Sequence, residues 1–546
     1  MIYENTVILS EAKNHEKTVI LSEAKNLKKE GRTMNKIIPK PNGVFEEMSG
    51  HFLLCNLKNV YKGVFSDTAI RAFEERLGIK LQETPEEKAK LQLIVDESLS
   101  SEEYQLTVNA DEIKVKAATD RGIIWALTSL YELLENDRFP CIIVEDKPKY
   151  QHRGFLLDCA RHFFSIEVVK QIIEENALVK INEFHWHLTD DQGWRMESRL
   201  FPKLHKLNNQ EYYTREQMSE VVAFAHARGV VIIPEIDMPG HSLAAIAAYP
   251  ELSCSGETVT AASKGGIYEN ILCAGKDTTY EFAKAILDEV CEIFESEYVH
   301  IGGDEAPKTS WSNCPYCQAK LAELGSDNYE DLQGYFTESL IAYLAKKNKK
   351  AIVWNDALKA PKARYEAIVQ YWMETEADNY TREFIADGGK VVFSDMFALY
   401  FDYIECFSSL QRVYEYTPII KGESFAEDES CLGIQACLWS ERVADKETLY
   451  QRIYPRLFAM AEAAWTQERD YNDFERRLVA RLDELVKRGI KAQSLEESNP
   501  QGNERIAGVK QFMQALAAAG QDGSAPVFTP EMIRQFLIGF GLEAML

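Results

Sequence analysis

The chain is predicted to be an α/β protein, a (β/α)8 barrel preceded by a small α+β domain and followed by a helical C-terminal extension. Three observations predict it. Eight short apolar runs of strand length recur between residues 149 and 491. Segments of helical period separate them, which implies parallel pairing through crossover connections. Chemically rich residues follow most of the runs, as expected where loops from every strand surround one site. A doubly wound open sheet is the competing arrangement, and this last observation favours the barrel over it.

In chain order, residues 6–14 and 18–26 both read Thr-Val-Ile-Leu-Ser-Glu-Ala-Lys-Asn. Two copies fall short of the roughly three units a repeat array needs. Residues 1–36 are therefore expected to be disordered or foreign to the fold, with Met34 as a candidate natural start. Residues 37–148 form the small α+β domain: Leu91–Val95 and Tyr104–Val108 read as strands, and Asp120 to Glu135 carries apolar residues at helical spacing. Asp146-Lys-Pro-Lys-Tyr150 reads as a polar linker, since Pro148 blocks regular structure. The eight runs are Phe155–Cys159, Glu183–Leu188, Val230–Ile236, Tyr298–Ile301, Lys350–Trp354, Ile368–Trp372, Val391–Ser394 and Gly433–Leu438. Helices are predicted over 449–466 and 471–488, and 492–546 is read as a helical tail without a legible role.

Composition narrows the function. Of 546 residues, 46% are hydrophobic, so there is ample core; 61 Lys and Arg against 86 Asp and Glu leave a net charge of −25. Such a surface repels phosphate backbones and anionic lipid, which argues against nucleic-acid and membrane partners. No stretch approaches the ~20 apolar residues of a membrane span, and the N-terminus lacks the ~7–15-residue apolar core of a secretory signal, so a cytoplasmic protein is expected. Eleven scattered cysteines, an odd number, read as reduced thiols. Cys314-Pro-Tyr-Cys317 has a metal-like spacing, but no second Cys or His pair follows at zinc-finger distance. It is read as a local loop feature, and neither a metal nor a cofactor is expected.

The most informative segment is Tyr298-Val-His-Ile-Gly-Gly-Asp-Glu305, an apolar run ending in adjacent carboxylates after a glycine pair. Consecutive strand residues face opposite sides, so Asp304 and Glu305 share a pocket only if the backbone leaves the strand, which Gly302 and Gly303 permit. The second run leads into His185-Trp-His187-Leu-Thr-Asp190, where the two histidines share a face, as metal ligands or as hydrogen-bonded interior groups. The third ends in Pro234-Glu-Ile-Asp237-Met-Pro-Gly-His241. Trp354, Trp372 and Trp439 close three further runs, and flat rings at corresponding strand ends suit the apolar faces of a sugar or an acetamido methyl. Tyr400 and Asp402 follow the seventh run and Glu441 the eighth, offering groups to hold sugar hydroxyls. Arg161 reads as a barrel arginine paired with a carboxylate.

His300-Ile-Gly-Gly-Asp304-Glu305, with Arg153-Gly, Arg161-His-Phe, His187-Leu-Thr-Asp190-Asp-Gln-Gly-Trp194, Asp237-Met-Pro-Gly-His241 and Leu438-Trp-Ser-Glu441, resembles family 20 of the glycoside hydrolases, the β-N-acetylhexosaminidases. The six motifs stand in family order, and the likeness covers roughly residues 37–490. It implies an exo-acting retaining hydrolase that releases terminal β-linked N-acetylglucosamine or N-acetylgalactosamine from an oligosaccharide or glycoconjugate, with the 2-acetamido oxygen as nucleophile and an oxazolinium intermediate. It implies that Glu305 is the general acid and base, with a pKa above a free Glu. Asp304 stays ionised and accepts the acetamido N–H, and Tyr400 donates to the acetamido oxygen. Trp354, Trp372 and Trp439 enclose the methyl. Arg153, Asp402 and Glu441 grip the outer hydroxyls, and Asp190, His241 and His187 stand behind Glu305. The choice between gluco and galacto sugars stays open, and so does assembly into a homo-oligomer. Two competing readings are a metal-dependent amidohydrolase using His185, His187, His241 and Asp304, and a non-catalytic sugar-binding protein.

Overall fold

The computed structural model describes residues 36–207, 211–361, 365–375, 378–443, 445–521 and 530–542. The duplicated nonapeptide and Met34 lie outside them. The chain divides into two compact units, one of 1–149 with 178–180 and 461–492, the other of 150–177, 181–460 and 493–546.

The first unit is built on a seven-stranded mixed sheet. The predicted strands Leu91–Val95 and Tyr104–Val108 are both present, the latter antiparallel to Arg138–Asp146. Helix Asp120–Glu132 starts at Thr119, whose side chain accepts the Gly122 N–H, and buries Ile123, Trp125, Leu127 and Leu130 in the core beside Leu93 and Leu106. The expected linker begins differently from its reading: Asp146 is buried and ends the strand Arg138–Asp146. Its carboxylate accepts from Tyr104 Oη at 2.7 Å, Trp465 Nε1 at 2.8 Å and the buried Lys180 Nζ at 2.8 Å. With the Asn42 N–H donating to it at 2.7 Å as well, the carboxylate has four donors, and a charge buried there is tolerable. The segment 461–492, of which 461–491 is expected within the barrel domain, falls in this unit, with Arg477 paired to Glu462 and Arg481 to Glu132.

The second unit is a closed barrel of eight parallel strands: His152–Asp158, Glu183–His187, Val231–Glu235, Tyr298–His300, Lys350–Trp354, Ile368–Tyr371, Lys390–Phe393 and Cys431–Leu438. Each falls on one of the eight predicted runs. The last pairs with the first, Leu438 opposite Leu157, which closes the cylinder. Strands covered on both faces read as near-continuous apolar stretches, which is why they were visible in sequence. The helix predicted over 449–466 is two, Lys446–Ile453 and Arg456–Trp465, because Pro455 supplies no N–H at the junction. The C-terminal extension forms Leu495–Ser498, Gly502–Gln521 and Pro530–Gly539 and packs on the loop after the seventh strand. Arg412 donates to the carbonyls of Gly539 and Phe540, Arg505 donates to that of Cys406, and Phe540 sits 4.8 Å from Phe407 between ring centroids. No described helix is long and apolar enough to cross a membrane.

Candidate active site

All eight strands end on the same rim, and the polar side chains converge there. The fourth strand stops at His300. Gly302 (φ 68°) and Gly303 (φ 105°) then turn the backbone out of the sheet, and Glu305 itself adopts φ 44°. A non-glycine residue in that region costs about 1–2 kcal/mol, so the acid is held in place by its surroundings. Asp237 from the third-strand loop clamps the turn: its Oδ1 accepts the Gly303 N–H at 3.1 Å. A Cβ on Gly302 would lie 1.6 Å from that oxygen. Gly302→Ala is therefore expected to leave the barrel folded, by circular dichroism, while kcat/KM falls about 100-fold or more, the penalty of an ångström-scale displacement of reacting groups. Near-normal turnover would show that the clamp is unnecessary.

His241 joins the two acids. Its Nε2 lies 3.6 Å from Asp304 Oδ2 and 3.5 Å from Glu305 Oε2, while Nδ1 is 3.2 Å from Asp190 Oδ1. Asp190 is saturated: Oδ2 receives Arg161 at 2.8 Å and His187 Nε2 at 2.9 Å, and Oδ1 also takes the Asp191 N–H. Burial opposes charge on both Asp190 and His241, but their neighbours win. Arg161, His241 and His187 hold Asp190 well below the usual carboxylate range, and Asp190 with Asp304 raises His241 well above ordinary imidazole. The imidazole, favoured in its charged form, thus lies between the two acids.

The resemblance implies an ionised Asp304, and the surroundings in the substrate-free site work against that form. Burial first, then the neighbouring Asp237 carboxylate and, more weakly, Glu305, push Asp304 well above the carboxylate range against the pull of His241. Exposure separates the two acids: the Asp304 side chain is 15% accessible and Glu305 34%. Glu305 is thus the more accessible of the two. Asp304 Oδ1 is buried without a hydrogen-bond partner among the described residues, an unpaired acceptor that costs free energy until a donor arrives.

Behind this pair lies a second network that the sequence did not reveal. Glu235, the last residue of the third strand, is fully buried, pairs with His187 Nδ1 and receives Trp354 Nε1 at 2.8 Å, with His300 Nδ1 at 2.9 Å and His185 Nε2 at 3.0 Å beside it. Its burial would favour the neutral acid, but the three imidazoles hold it well below its ordinary value. Trp354 is thereby fixed in orientation. Its ring lies 5.8 Å from Trp439, Trp439 lies 6.0 Å from Tyr400, and Tyr400 stacks with Trp372 at 6.4 Å and 16°. Trp372 is anchored by Nε1 donating to Asp356 at 2.9 Å. Three tryptophans and a tyrosine therefore wall one side of the rim. Asp402, buried beside Glu441, is pushed up to about 7 by burial and then by that charge, and its Oδ1 also lacks a partner among the described residues.

Arg153 is a correction. It lies near the start of the first strand, five residues before Asp158, so it stands roughly 16 Å from the rim along the strand. It is buried and donates to the carbonyls of Tyr150 and Gln151. Arg161, three residues past the strand, is at the rim: it pairs with Asp158 and Asp190, and its guanidinium lies 5.1 Å from the Trp439 ring. The ligand set of the amidohydrolase reading is not assembled either. His185 and His187 turn their ring nitrogens to Glu235, Gln435 and Asp190. Finally, Cys314 and Cys317 are not a local feature: Cys254 and Cys273 join them, all four sulfurs lying within 4.8 Å of one another.

Residues 150–468 match the family described as glycosyl hydrolase family 20, catalytic domain, and residues 34–147 match domain 2 of the same family. A β-hexosaminidase of Porphyromonas gingivalis is 32% identical over 491 residues, 81% of this chain; the chain spans 62% of that relative's length. Among solved structures, the β-N-acetylhexosaminidase from Bacteroides fragilis superposes with a TM-score of 0.78 at 28% identity, covering 86% of this chain and 99% of that one. The exo-β-N-acetylglucosaminidase from Vibrio harveyi in complex with N-acetylglucosamine gives 0.75 at 30% identity, covering 85% and 79%.

Proposed function

From the premise that the chain belongs to glycosyl hydrolase family 20, we propose that it is an exo-acting β-N-acetylhexosaminidase that uses the substrate's own acetamide as nucleophile. The observation that carries this reading is the convergence of Asp304 and Glu305 on one face of His241. Retaining glycosidases that use a carboxylate nucleophile place two carboxyl groups on opposite faces of the sugar. Two residues adjacent in sequence and sharing one imidazole cannot do that, so the nucleophile has to come from elsewhere. An acetamide held in line supplies it intramolecularly, an arrangement that can lower a barrier by up to ~7–11 kcal/mol.

Glu305 gives its proton to the glycosidic oxygen as the acetamido oxygen bonds to the anomeric carbon and the aglycone leaves. Asp304 Oδ1 accepts the acetamido N–H and Tyr400 donates to the acetamido oxygen. Trp354, Trp372 and Trp439 pack against the methyl. Glu305, now a carboxylate, takes a proton from the water that opens the oxazolinium ring, and configuration at the anomeric carbon is retained. Arg161 takes the place expected of Arg153 and, with Asp402 and Glu441, holds the outer hydroxyls. His241, Asp190 and His187 return Glu305 to the orientation each half-reaction needs.

The test is a pair of aryl glycosides. A p-nitrophenyl N-acetyl-β-D-glucosaminide is expected to be cleaved at least about 1,000-fold faster, in kcat/KM, than the matching β-D-glucoside, since only the former carries its nucleophile. Equal rates would overturn the mechanism, and cleavage of neither would favour a binding protein.

A further inference from the structure

We propose that Cys254, Cys273, Cys314 and Cys317 form a structural tetrathiolate site for zinc, which ties the loop carrying His241 to the loop carrying Asp304 and Glu305. The sulfurs stand 3.8 Å apart for Cys254 and Cys317, 3.7 Å for Cys273 and Cys314, and 3.5 Å for Cys273 and Cys317. Four thiolates about 2.3 Å from a central zinc in tetrahedral array would be about 3.8 Å apart along every edge. Disulfide sulfurs would be about 2.05 Å apart, and none of the four is so bonded. Three of the four residues are buried and Cys254 is half-buried, the closed coordination sphere of a structural site with no position open to solvent.

The backbone is shaped for the same purpose. Cys273-Ala-Gly275-Lys276 packs onto Cys314-Pro-Tyr-Cys317 so closely that a Cβ on Gly275 would lie 2.2 Å from the Tyr316 carbonyl carbon. Two knuckles pressed together bring their cysteines to one centre. Lys276 supplies a positive charge beside them: it donates to the Ser253 carbonyl at 2.5 Å and lies over the Tyr316 ring at 5.6 Å, against the chain neighbours of Cys254 and Cys317. Four thiolates around a divalent ion leave two net negative charges, which a nearby ammonium offsets.

The location gives the site a purpose. Between the third strand and helix Asp277–Ile293 the chain runs about forty residues with only two short helical turns, Leu243–Ala248 and Pro250–Leu252. Connections of that length inside a compact domain are uncommon and entropically costly to order. Leu272 N–H donates to the Pro239 carbonyl at 3.0 Å, and Trp311 Nε1 from the next loop donates to the Leu272 carbonyl at 2.8 Å. A metal clip at Cys273 therefore braces the segment of Asp237 to His241 on one side and the chain leaving Glu305 on the other.

The full chain, purified under reducing conditions without chelators, is expected to contain about one zinc by elemental analysis. Mercurial displacement of the thiols should release that equivalent into a colorimetric indicator. Cobalt(II) loaded in its place should show thiolate-to-metal charge transfer and tetrahedral visible bands. Cys273→Ala and Cys317→Ala should lose the zinc and melt at least about 5 °C lower, whereas Cys291→Ser, outside the cluster, should keep both. Should those variants fail to fold, stoichiometry and the cobalt spectrum of the unaltered chain decide alone. A chain free of zinc that gives no cobalt–thiolate bands, zinc retained in Cys273→Ala, or peptide mapping that finds these four residues in disulfides would each overturn the site.

Discussion

Glu305→Gln is expected to lower kcat/KM by about 10²- to 10⁴-fold on an N-acetylhexosaminide whose leaving group is a sugar hydroxyl, the range general acid–base catalysis supplies. It should lower the first step far less on a p-nitrophenyl glycoside. The asymmetry follows from what the residue does. A sugar alkoxide cannot leave without a proton, whereas p-nitrophenolate can, so removing the proton donor penalises only the first. Glutamine keeps the side-chain shape and the strained φ of 44° at this position, and it still reaches His241. Loss of geometry is thus separated from loss of the proton. Comparing the two substrates with stopped-flow resolution of the first step makes the check. An equal loss on both would mean that the variant had damaged the site and that Glu305 is not the acid.

Most of the architecture and part of the site were legible in sequence, for physical reasons that also explain the failures. Parallel barrel strands are buried on both faces, so Ile368–Tyr371 and Lys390–Phe393 stood out as apolar runs despite their brevity. Once the runs were placed, residues following them fell on one rim. That rule distinguishes Arg161 from Arg153, since one follows the first strand and the other lies near its start. Glu235 is not legible as a hub in the sequence, because a carboxylate ending a strand looks like the first solvated residue of a loop. Only the arrival of His185, His187, His300 and Trp354 from three other strands makes it a buried hub. The cysteine cluster was hidden by separation: Cys254 and Cys273 precede Cys314-x-x-Cys317 by dozens of residues, so spacing along the chain carries no trace of it. Likewise, the upward push on the Asp304 pKa depends in part on Asp237, which the fold brings up from another strand.

Asp304→Asn is expected to cost about 10²- to 10³-fold in kcat, about 3–4 kcal/mol of transition-state stabilisation, comparable to removing one oxyanion-type contact. The same substitution should make the free enzyme more stable at neutral pH. Both follow from one field. Burial, Asp237 and Glu305 make the pocket favour a proton on Asp304, and a potential that favours a proton also favours any positive charge that develops there, such as the oxazolinium ion. The energy that destabilises the empty site is returned when the sugar becomes cationic, and an amide side chain forgoes both. The sign for stability is direct. A carboxyl whose pKa is higher folded than unfolded binds protons more tightly in the native state. Its contribution therefore declines as pH rises from the unfolded value near about 4 through the folded one. Asparagine has no such dependence, so the melting temperature of the variant should exceed that of the unaltered chain at pH 7 to 8, with the gap closing towards pH 4. His241 loses a carboxyl partner in the variant, which works against the gain, but its pull is already outweighed by burial and Asp237 in setting Asp304. Thermal melts across that pH range, beside single-turnover rates, measure both effects. A variant less stable than its parent at neutral pH would mean that the pocket holds no such negative potential. Unchanged turnover would mean that Asp304 does not receive the acetamide.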